Sequence, residues 1–313
     1  MVQVQNGGII SVYIKFINRF FKVASQLVVE NYIVRIKRIF TIMCMLPDYY
    51  KFRRRFNGLS YSMIASESDP KVTRKFTRGY LSNCLSPRQK LSILDHHYKY
   101  SSENLSYDSF LSKLPGRVTL YEINASGASS SIDMCLPEKS VWEGDLCLEF
   151  IQRGALLYRM TFTFIPLQIL GCGFGAGVFV GGSQSYGTAE LRREASKVNN
   201  EINPATSLLV AIKAISNCLG ITKIIGVKTV RHVDLAEYGG DKGLESYDHL
   251  WIKNHGVDRE GFYEIPTIVS YQSSGEVLSN HASRTRRKRR DRQALFDNIY
   301  SKISPHITRI RGE

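Results

Sequence analysis

The spacing of apolar residues in the first third of the chain predicts helices. Apolar side chains recur three or four residues apart, as at Phe16 and Phe20, which places them on one face of a helix. This spacing predicts helical structure over residues 9–46 and again over residues 87–112, with a break at residues 101–106. Lysine and arginine occupy the other faces of the N-terminal stretch, so that segment is basic and amphipathic.

The pattern becomes that of β-strands between residues 117 and 180. β-Branched and aromatic residues come in short runs that are separated by turn residues. This arrangement predicts an antiparallel meander with a hairpin turn at residues 152–154. Four strands are expected, over residues 118–123, 146–151, 156–164 and 177–180.

Helical spacing returns after Asn203, which is a good N-cap and precedes Pro204 at the first helical position. Gly220 is expected to end this helix, because glycine adopts the left-handed conformation common at helix ends. Three further elements complete the predicted order, which are a strand over residues 221–230, a helix over 247–253 and a strand over 263–271.

This order of elements predicts an α+β fold with an antiparallel or mixed central sheet and flanking helices. We expect an α+β core domain over residues 61–283. A basic amphipathic helical segment over residues 1–60 precedes it, and a basic helical tail over residues 284–313 follows it.

The net charge of +14 is concentrated at the two ends of the chain. Residues 1–100 carry 17 basic and 5 acidic side chains, residues 284–313 carry 10 and 3, and the residues between them carry 15 and 20. Basic ends attract anions, which include nucleic acids, anionic lipid headgroups and acidic proteins. Charge alone does not choose among these partners.

The densest charge lies near the C-terminus, where seven of nine consecutive residues are basic. One interpretation is contact with an anionic partner. The alternative is a solvated helix start that is followed by Ala294, Leu295 and Ile299 packing on the body. No RNA-binding aromatic motif and no helix-turn-helix pattern accompanies the run, which argues against sequence-specific DNA recognition. The basic residues are Arg284, Arg286, Arg287, Lys288, Arg289, Arg290 and Arg292.

The sequence predicts a cytoplasmic protein that is not integral to a membrane. No window reaches the roughly 18 uncharged apolar residues of a spanning helix, and the N-terminus lacks the features of a secretion signal. Peripheral attachment to the inner membrane through the N-terminal helices stays open as an alternative. The six cysteines form no CxxC pair, so neither a metal site nor a cofactor is predicted.

A glycine-rich segment ahead of Thr188 is the best candidate for binding an anionic ligand. Glycines let backbone N–H groups converge, and the N-terminus of a helix expected at Thr188 adds positive potential. Glu190 in the first helical turn competes for that potential. The candidate residues are Gly181, Gly182, Ser183, Gln184 and Gly187.

The histidines do not have the spacing of a zinc site. No G-x-S-x-G motif occurs, and no serine or cysteine stands beside an obvious base motif. His97, His232 and His255 are candidate acid–base groups, because histidine changes charge near neutral pH. A satisfied structural histidine is the alternative for each of them.

Several short motifs come in the order seen in the VirK/YbjX family, which the sequence resembles over roughly residues 85–303. His97-Tyr98 also resembles a family position, and the Ile-, Asn-, Tyr- and Ser-rich composition is most similar to that of plasmid-borne members. The motifs are Trp142-Glu-Gly-Asp-Leu146, Val180-Gly-Gly-Ser-Gln184, Tyr247-Asp-His-Leu-Trp251 with Gly256, and Ser283-Arg-Thr-Arg-Arg-Lys-Arg-Arg290.

The resemblance implies a virulence-associated accessory role in enteric bacteria. Family members are linked to the production or surface display of an outer-membrane virulence protein, at a step after transcription, and to resistance to cationic antimicrobial peptides. No enzymatic activity follows from the resemblance. The partner would be RNA, an anionic membrane surface or an export-pathway protein.

The order of elements is also similar to that of acyl-CoA-dependent N-acyltransferases, in which the loop after the fourth strand binds a pyrophosphate. The segment 181–187 would take that place here. This alternative predicts a transferase that modifies an envelope component with an acyl group from coenzyme A or a carrier protein. Tyr98, Glu143 or His232 would supply the acid–base chemistry.

Overall fold

The computed structural model describes residues 32–125, 128–138, 141–233, 247–268 and 279–308. The chain divides into two compact units, Met1–Leu46 and Pro47–Glu313. The described part of the first unit contains helix α1, Tyr32–Cys44. The helix predicted over residues 9–46 is therefore confirmed over this stretch, and its earlier part lies outside the described residues. The domain boundaries predicted at residues 60 and 283 stay predictions.

Seven further α-helices are described. They are α2 (Leu46–Asn57), α3 (Ser60–Ser68), α4 (Pro87–Asn104), α5 (Ala189–Val198), α6 (Pro204–Cys218), α7 (Tyr247–Lys253) and α8 (Ser279–Ile303). Short 3-10 helices connect several elements, at Val72–Thr77, Leu111–Gly116, Leu167–Leu170, Thr229–Arg231 and Ser304–His306.

Eight described strands form one sheet in the order β1-β2-β3-β4-β5-β6-β8-β7. Neighbouring strands are antiparallel except β5 and β6, which are parallel. The predicted α+β fold with a mixed sheet and flanking helices is confirmed. The strands are β1 (Val118–Ala125), β2 (Ala128–Cys135), β3 (Leu146–Gln152), β4 (Ala155–Pro166), β5 (Ala176–Ser185), β6 (Lys223–Val227), β7 (Val257–Arg259) and β8 (Phe262–Pro266).

Helix α6 forms because its sequence signals agree with its packing. The Asn203 side-chain oxygen accepts a hydrogen bond from the Thr206 backbone N–H at 2.7 Å, and Pro204 occupies the first turn. The apolar stripe of Leu208, Leu209 and Ile212 is fully buried, and the helix packs on β3, β4 and β5. Burial of each such side chain stabilises the fold by about 1.5–3 kcal/mol.

Helix α8 packs on α6 and β1, and it runs in the same direction as α6. Near the start of α6, Lys288 pairs with Glu201 at 3.1 Å, while the Cys218 thiol at the end of α6 donates to the Tyr300 carbonyl at 3.4 Å. The predicted packing of Leu295 and Ile299 on the body is confirmed. Ala294 is exposed instead, because it lies on the outer face of the helix.

Candidate functional site

Strands β5 and β6 part at one end of the sheet. Their parallel pairing runs from Val178–Ile224 to Val180–Gly226, whereas β5 continues to Ser185. Helix α7 lies against the end of β6, where the Trp251 indole N–H donates to the Val227 carbonyl at 2.8 Å. A Cβ atom on Gly226 would come within 2.7 Å of the indole, so glycine permits this approach. Helix α7 is therefore anchored at the end of β6, where the pairing with β5 has stopped.

Contacts between the 3-10 helix Thr229–Arg231 and the start of α7 hold two polar aromatic side chains together. The Asp248 carboxylate accepts from the Thr229 backbone N–H at 2.9 Å, and the Thr229 hydroxyl accepts from the Tyr247 backbone N–H at 3.1 Å. The side chains of His232 and Tyr247 are buried and contact each other, with 3.4 Å between the Tyr247 hydroxyl and His232 Nε2. These contacts therefore fix the position of both groups.

The Glu143 carboxylate meets the same histidine nitrogen from the segment that precedes β3. Its Oε1 atom lies 3.1 Å from His232 Nε2 and accepts from the Gln184 amide at 2.6 Å, and Thr161 donates to Oε2 at 3.4 Å. A Cβ atom on Gly182 would lie 2.0 Å from Oε2. The carboxylate therefore occupies space that a side chain at this position would fill.

One proton decides how these three groups interact. Two acceptor atoms repel each other, so the contact between an ionised Glu143 and His232 Nε2 requires the proton on Nε2. The same N–H then also faces the Tyr247 oxygen, which acts as an acceptor towards His232. We call Tyr247, His232 and Glu143 the acid–base group.

A cleft of about 590 Å³ lies between α5, the start of α6 and α7, and Tyr247 lines it. Ala205 and Leu250 are among its apolar lining residues. Arg192 is also in the lining, where it donates to the Gly187 carbonyl at 2.8 Å and so ties α5 to the turn after β5. Three more lining residues can carry positive charge, which are Arg193, His249 and Lys253. A ligand with an anionic part and an apolar part fits this lining.

The glycine segment differs from its predicted loop conformation. Gly181, Gly182, Ser183 and Gln184 lie in strand β5, and only Gly187 lies in the turn, with a φ of +67°. Gly181 and Gly182 make room for Glu143 instead, because a Cβ on Gly181 would lie 2.1 Å from the Glu143 carbonyl oxygen. The predicted helix start at Thr188 is confirmed, and the Thr188 side chain caps α5. Ligand binding by these residues stays a prediction.

Tyr98 belongs to a different cluster, which surrounds Asp145. Lys75 donates to this buried carboxylate at 2.7 Å, Thr163 at 2.9 Å and Tyr98 at 3.1 Å, and Tyr80 makes a short hydrogen bond to it. Burial would raise the pKa of Asp145, but the Lys75 charge and the hydrogen bonds lower it to about 2. Burial and the Asp145 charge raise the pKa of Tyr98 well above its usual value. We interpret this cluster as a buried Lys75–Asp145 ion pair with a structural role.

His97 is a structural histidine. Its Nδ1 atom accepts from the Phe164 backbone N–H at 3.2 Å, and its ring stacks on the Phe164 ring. Burial lowers the pKa of His97 to about 4, which keeps the ring neutral. His255 is exposed at the end of α7, apart from the acid–base group.

Two cysteines and a glutamate come together on strands β2 and β3. Cys135 is the register partner of Cys147, and the sulfur atoms and a Glu149 oxygen lie within 4.8 Å of one another. Glu149 already pairs with Arg159 and with Arg117, the latter at 3.0 Å. All six cysteines are free thiols. Sequence spacing could not indicate this pair, because strand register creates it.

The basic run lies in the first half of α8. Arg286, Arg287 and Arg290 are exposed, although Arg287 also donates to the Asn200 side chain at 3.2 Å. Arg292 faces inward near Lys213, and burial and this charge lower the pKa of Lys213 to about 8. The run is therefore partly a packing surface and partly an exposed positive surface.

Comparison with known proteins decides the family. Residues 31–304 match the family described as "Protein of unknown function (DUF535)". A curated relative from Escherichia coli (strain K12), "Uncharacterized protein YbjX", is 25% identical over 253 residues, which cover 78% of this chain and 73% of the relative. The chain belongs to the DUF535 family. The predicted membership of the VirK/YbjX family is thereby confirmed.

A solved structure shows only a distant likeness. A mutant of the cAMP-binding acyltransferase from Mycobacterium smegmatis is 9% identical, with a TM-score of 0.28, over 57% of this chain. The chain spans about half of that protein, with 56% covered. A TM-score this low identifies neither the fold nor the activity of a DUF535 protein. Among the described residues, no helix is long and apolar enough to cross a membrane.

In this DUF535 protein, the structure unites Glu143 with His232 and separates both from Tyr98. Tyr247, Lys75 and Asp145 were not among the predicted site residues. A signal for two of them was present, since Asp145 lies in the Trp142-Glu-Gly-Asp-Leu146 motif and Tyr247 begins the Tyr247-Asp-His-Leu-Trp251 motif. Lys75 has no such motif.

Proposed function

We propose that the protein is an acyltransferase that takes an acyl group from a phosphate-bearing thioester, such as acyl-CoA, held in the cleft. One observation carries the proposal: Tyr247 lines the cleft and contacts His232, which in turn contacts Glu143. The order of elements supports it, because a meander is followed by helices, strand β6, helix α7 and the last strands, as in the stated likeness to N-acyltransferases. Fold layout alone would not indicate an activity.

The donor side of the cleft suits a thioester that carries phosphates. Arg193 and Lys253 can pair with phosphate oxygens. Ala205 and Leu250 offer apolar contact to the arm between the phosphates and the thioester.

The acid–base group supplies a balanced proton path. The acceptor nucleophile, written X–H, attacks the thioester carbonyl carbon, and the carbon–sulfur bond breaks. Tyr247 gives its phenol proton to the leaving thiolate, and the proton of X–H replaces it. The Nε2–H of His232, held by Glu143, faces the phenolate oxygen in the interval. Tyr247 is the catalytic residue, and His232 and Glu143 are positioning residues.

Donor binding is expected to depend on the cleft charges. Replacing Arg193 and Lys253 by glutamate should abolish the stabilisation by palmitoyl-CoA, because two phosphate-binding cations become repulsive anions. For the unchanged protein, a hundredfold excess over the Kd should add about 2.7 kcal/mol to the free energy of unfolding. Thermal unfolding measures both. The matched control is Lys51→Glu with Lys71→Glu, two exposed residues away from the cleft lining. Equal stabilisation of both variants would refute the donor site.

We further propose that the acceptor is a component of the bacterial envelope, as the acyltransferase alternative predicted. Acylation of the envelope offers a route to cationic-peptide resistance and to correct display of an outer-membrane virulence protein. The competing proposal is a non-enzymatic accessory role through an anionic partner, which the exposed Arg286, Arg287 and Arg290 favour.

Cells that lack the gene distinguish these two roles. We expect the wild-type gene to restore survival in a cationic peptide, and Tyr247→Phe to leave the cells about as sensitive as the deletion strain, since the phenol proton is needed for transfer. Survival curves and surface levels of the outer-membrane protein are the measurements. Full restoration by Tyr247→Phe, with failure of a variant that has glutamine at Arg286, Arg287 and Arg290, would favour the accessory role.

A further inference from the structure

The first half of α8 lies at the same end of the molecule as the mouth of the cleft. Lys288 pairs with Glu201, and Arg287 donates to Asn200, both in the connection between α5 and α6. Asn203, two residues after Glu201, lines the cleft. The parallel course of α8 and α6 therefore brings together residues that are 87 positions apart in the sequence.

Exposed positive side chains from three helices surround this end. Helix α5 contributes Arg193 and Lys197, and helix α7 contributes Lys253. The nearby acidic side chains of Glu194 and Asp291 are engaged by arginines of this chain, at 3.0 Å from Arg153 and 3.7 Å from Arg287. Helix α8 adds Arg286, Arg287 and Arg290 to the positive surface.

We propose that this positive surface docks an acidic carrier protein, which delivers the acyl group on a phosphopantetheine arm. The inference rests on the acyltransferase proposal and names the physical form of its donor. The arm enters the cleft, where its phosphate meets Arg193 or Lys253. The acidic surface of the carrier meets the exposed arginines of α8, and the complementary charges speed the encounter of the two proteins.

The chemistry of the surface favours a protein over RNA or a lipid bilayer. Single-stranded RNA is bound by basic side chains interleaved with aromatic ones, and residues 279–292 contain no aromatic residue. A helix that lies in a bilayer surface needs a face of large apolar residues, and the same stretch contains none. An acidic carrier contacts both features of this end, because its protein surface meets the positive surface and its arm enters the cleft.

The bonds and protons of the transfer step balance in the same way as with acyl-CoA as the donor. The thioester carbonyl carbon of the carrier-bound acyl group forms a bond with the acceptor nucleophile, and the bond to the phosphopantetheine sulfur breaks. Tyr247 protonates the leaving thiolate, and the proton of the nucleophile returns to Tyr247. The carrier departs with a free thiol on its arm.

Binding of a bacterial acyl carrier protein tests the proposal. The probe is used without its arm, with the free-thiol arm and with a palmitoyl thioester, and palmitoyl-CoA serves as the free donor. We expect the palmitoyl carrier to bind most tightly and to lose affinity between about 50 mM and about 300 mM salt, as a charged interface does. The variant Arg286→Glu, Arg287→Glu, Arg290→Glu should lose about tenfold or more for the carrier and much less for palmitoyl-CoA.

A control with an equal charge change is available outside α8 and the cleft lining. Lys51→Glu, Arg54→Glu, Lys71→Glu alters three exposed basic residues outside α8 and the cleft lining, and it should bind the carrier as the unchanged protein does. Circular dichroism and thermal unfolding identify any variant that fails to fold. A variant that fails to fold is replaced by one with glutamine, in place of glutamate, at the same three positions.

The outcomes separate the two proposals. Binding of palmitoyl-CoA with no binding of any carrier form, or equal loss in the α8 and control variants, overturns the carrier inference and leaves the acyltransferase proposal standing. Binding of neither palmitoyl-CoA nor the carrier removes the acyltransferase proposal itself. Salt-sensitive binding of a single-stranded RNA probe to α8, without carrier binding, would assign the surface to RNA.

Discussion

Replacing Tyr247 by phenylalanine is expected to slow acyl transfer by about two to four orders of magnitude, the range that a positioned acid or base contributes. The substitution keeps the ring that packs edge-on against His232, with 5.0 Å between the ring centres. Only the phenol oxygen and its proton are lost. The expected change is therefore in kcat, with little change in the affinity for palmitoyl-CoA.

The measurement is the steady-state rate of thiol release from palmitoyl-CoA in the presence of an acceptor fraction from the envelope. Tyr100→Phe is a matched control, because it also removes a buried hydroxyl that is hydrogen-bonded, here to the Leu219 carbonyl at 3.2 Å. We expect the control to lose about 1 kcal/mol of stability and to keep its rate. A Tyr247→Phe enzyme as fast as the control would show that Tyr247 transfers no proton.

Replacing Lys75 by methionine is expected to cost about 3–5 kcal/mol of folding stability, since the Asp145 carboxylate would lose its buried countercharge. Lys75 and Asp145 are both buried, with 2.7 Å between Nζ and Oδ1. Chemical unfolding measures the loss. Lys71→Met is the matched control, because Lys71 is exposed and its change should alter stability by no more than about 0.5 kcal/mol.

The pH dependence of the same variant gives a second readout. The pKa of Asp145 is lowered in the folded protein to about 2 from 3.8, a difference that corresponds to roughly 2 kcal/mol. This stability is present above pH 3.8 and is lost as the pH falls through the folded pKa. Without Lys75, burial should raise the pKa of Asp145, so acidification should stabilise the variant instead. Parallel stability curves for the variant and the unchanged protein would contradict this account.

Much of the fold followed from local signals in the sequence. Helix α6 was predictable because Asn203, Pro204 and the buried stripe agree on one helix. Strand β2 was missed because Ser130 and Asp133 break the apolar alternation, although both are buried in the sheet. Their polar side chains share the sheet with the Glu149–Arg159 pair, which no spacing rule reveals.

The site was predictable only in parts. Glu143 and His232 were candidates one at a time, but their 3.1 Å contact joins residues that lie 89 positions apart. The last residues of β5 looked like a loop because glycine and serine are typical of turns. Tyr247 was overlooked because its role depends on the packing of α7 against the turn at Thr229, which only the tertiary structure supplies.

Gly182 and Glu143 constrain each other through a shared volume. The carboxylate fills the place where a side chain on strand β5 would stand. A chain with a larger residue in place of Gly182 has no room for the Glu143 carboxylate. Glycine at this position is therefore a requirement for the carboxylate. A relative with a larger residue in place of Gly182 is therefore expected to lack the acid behind the histidine.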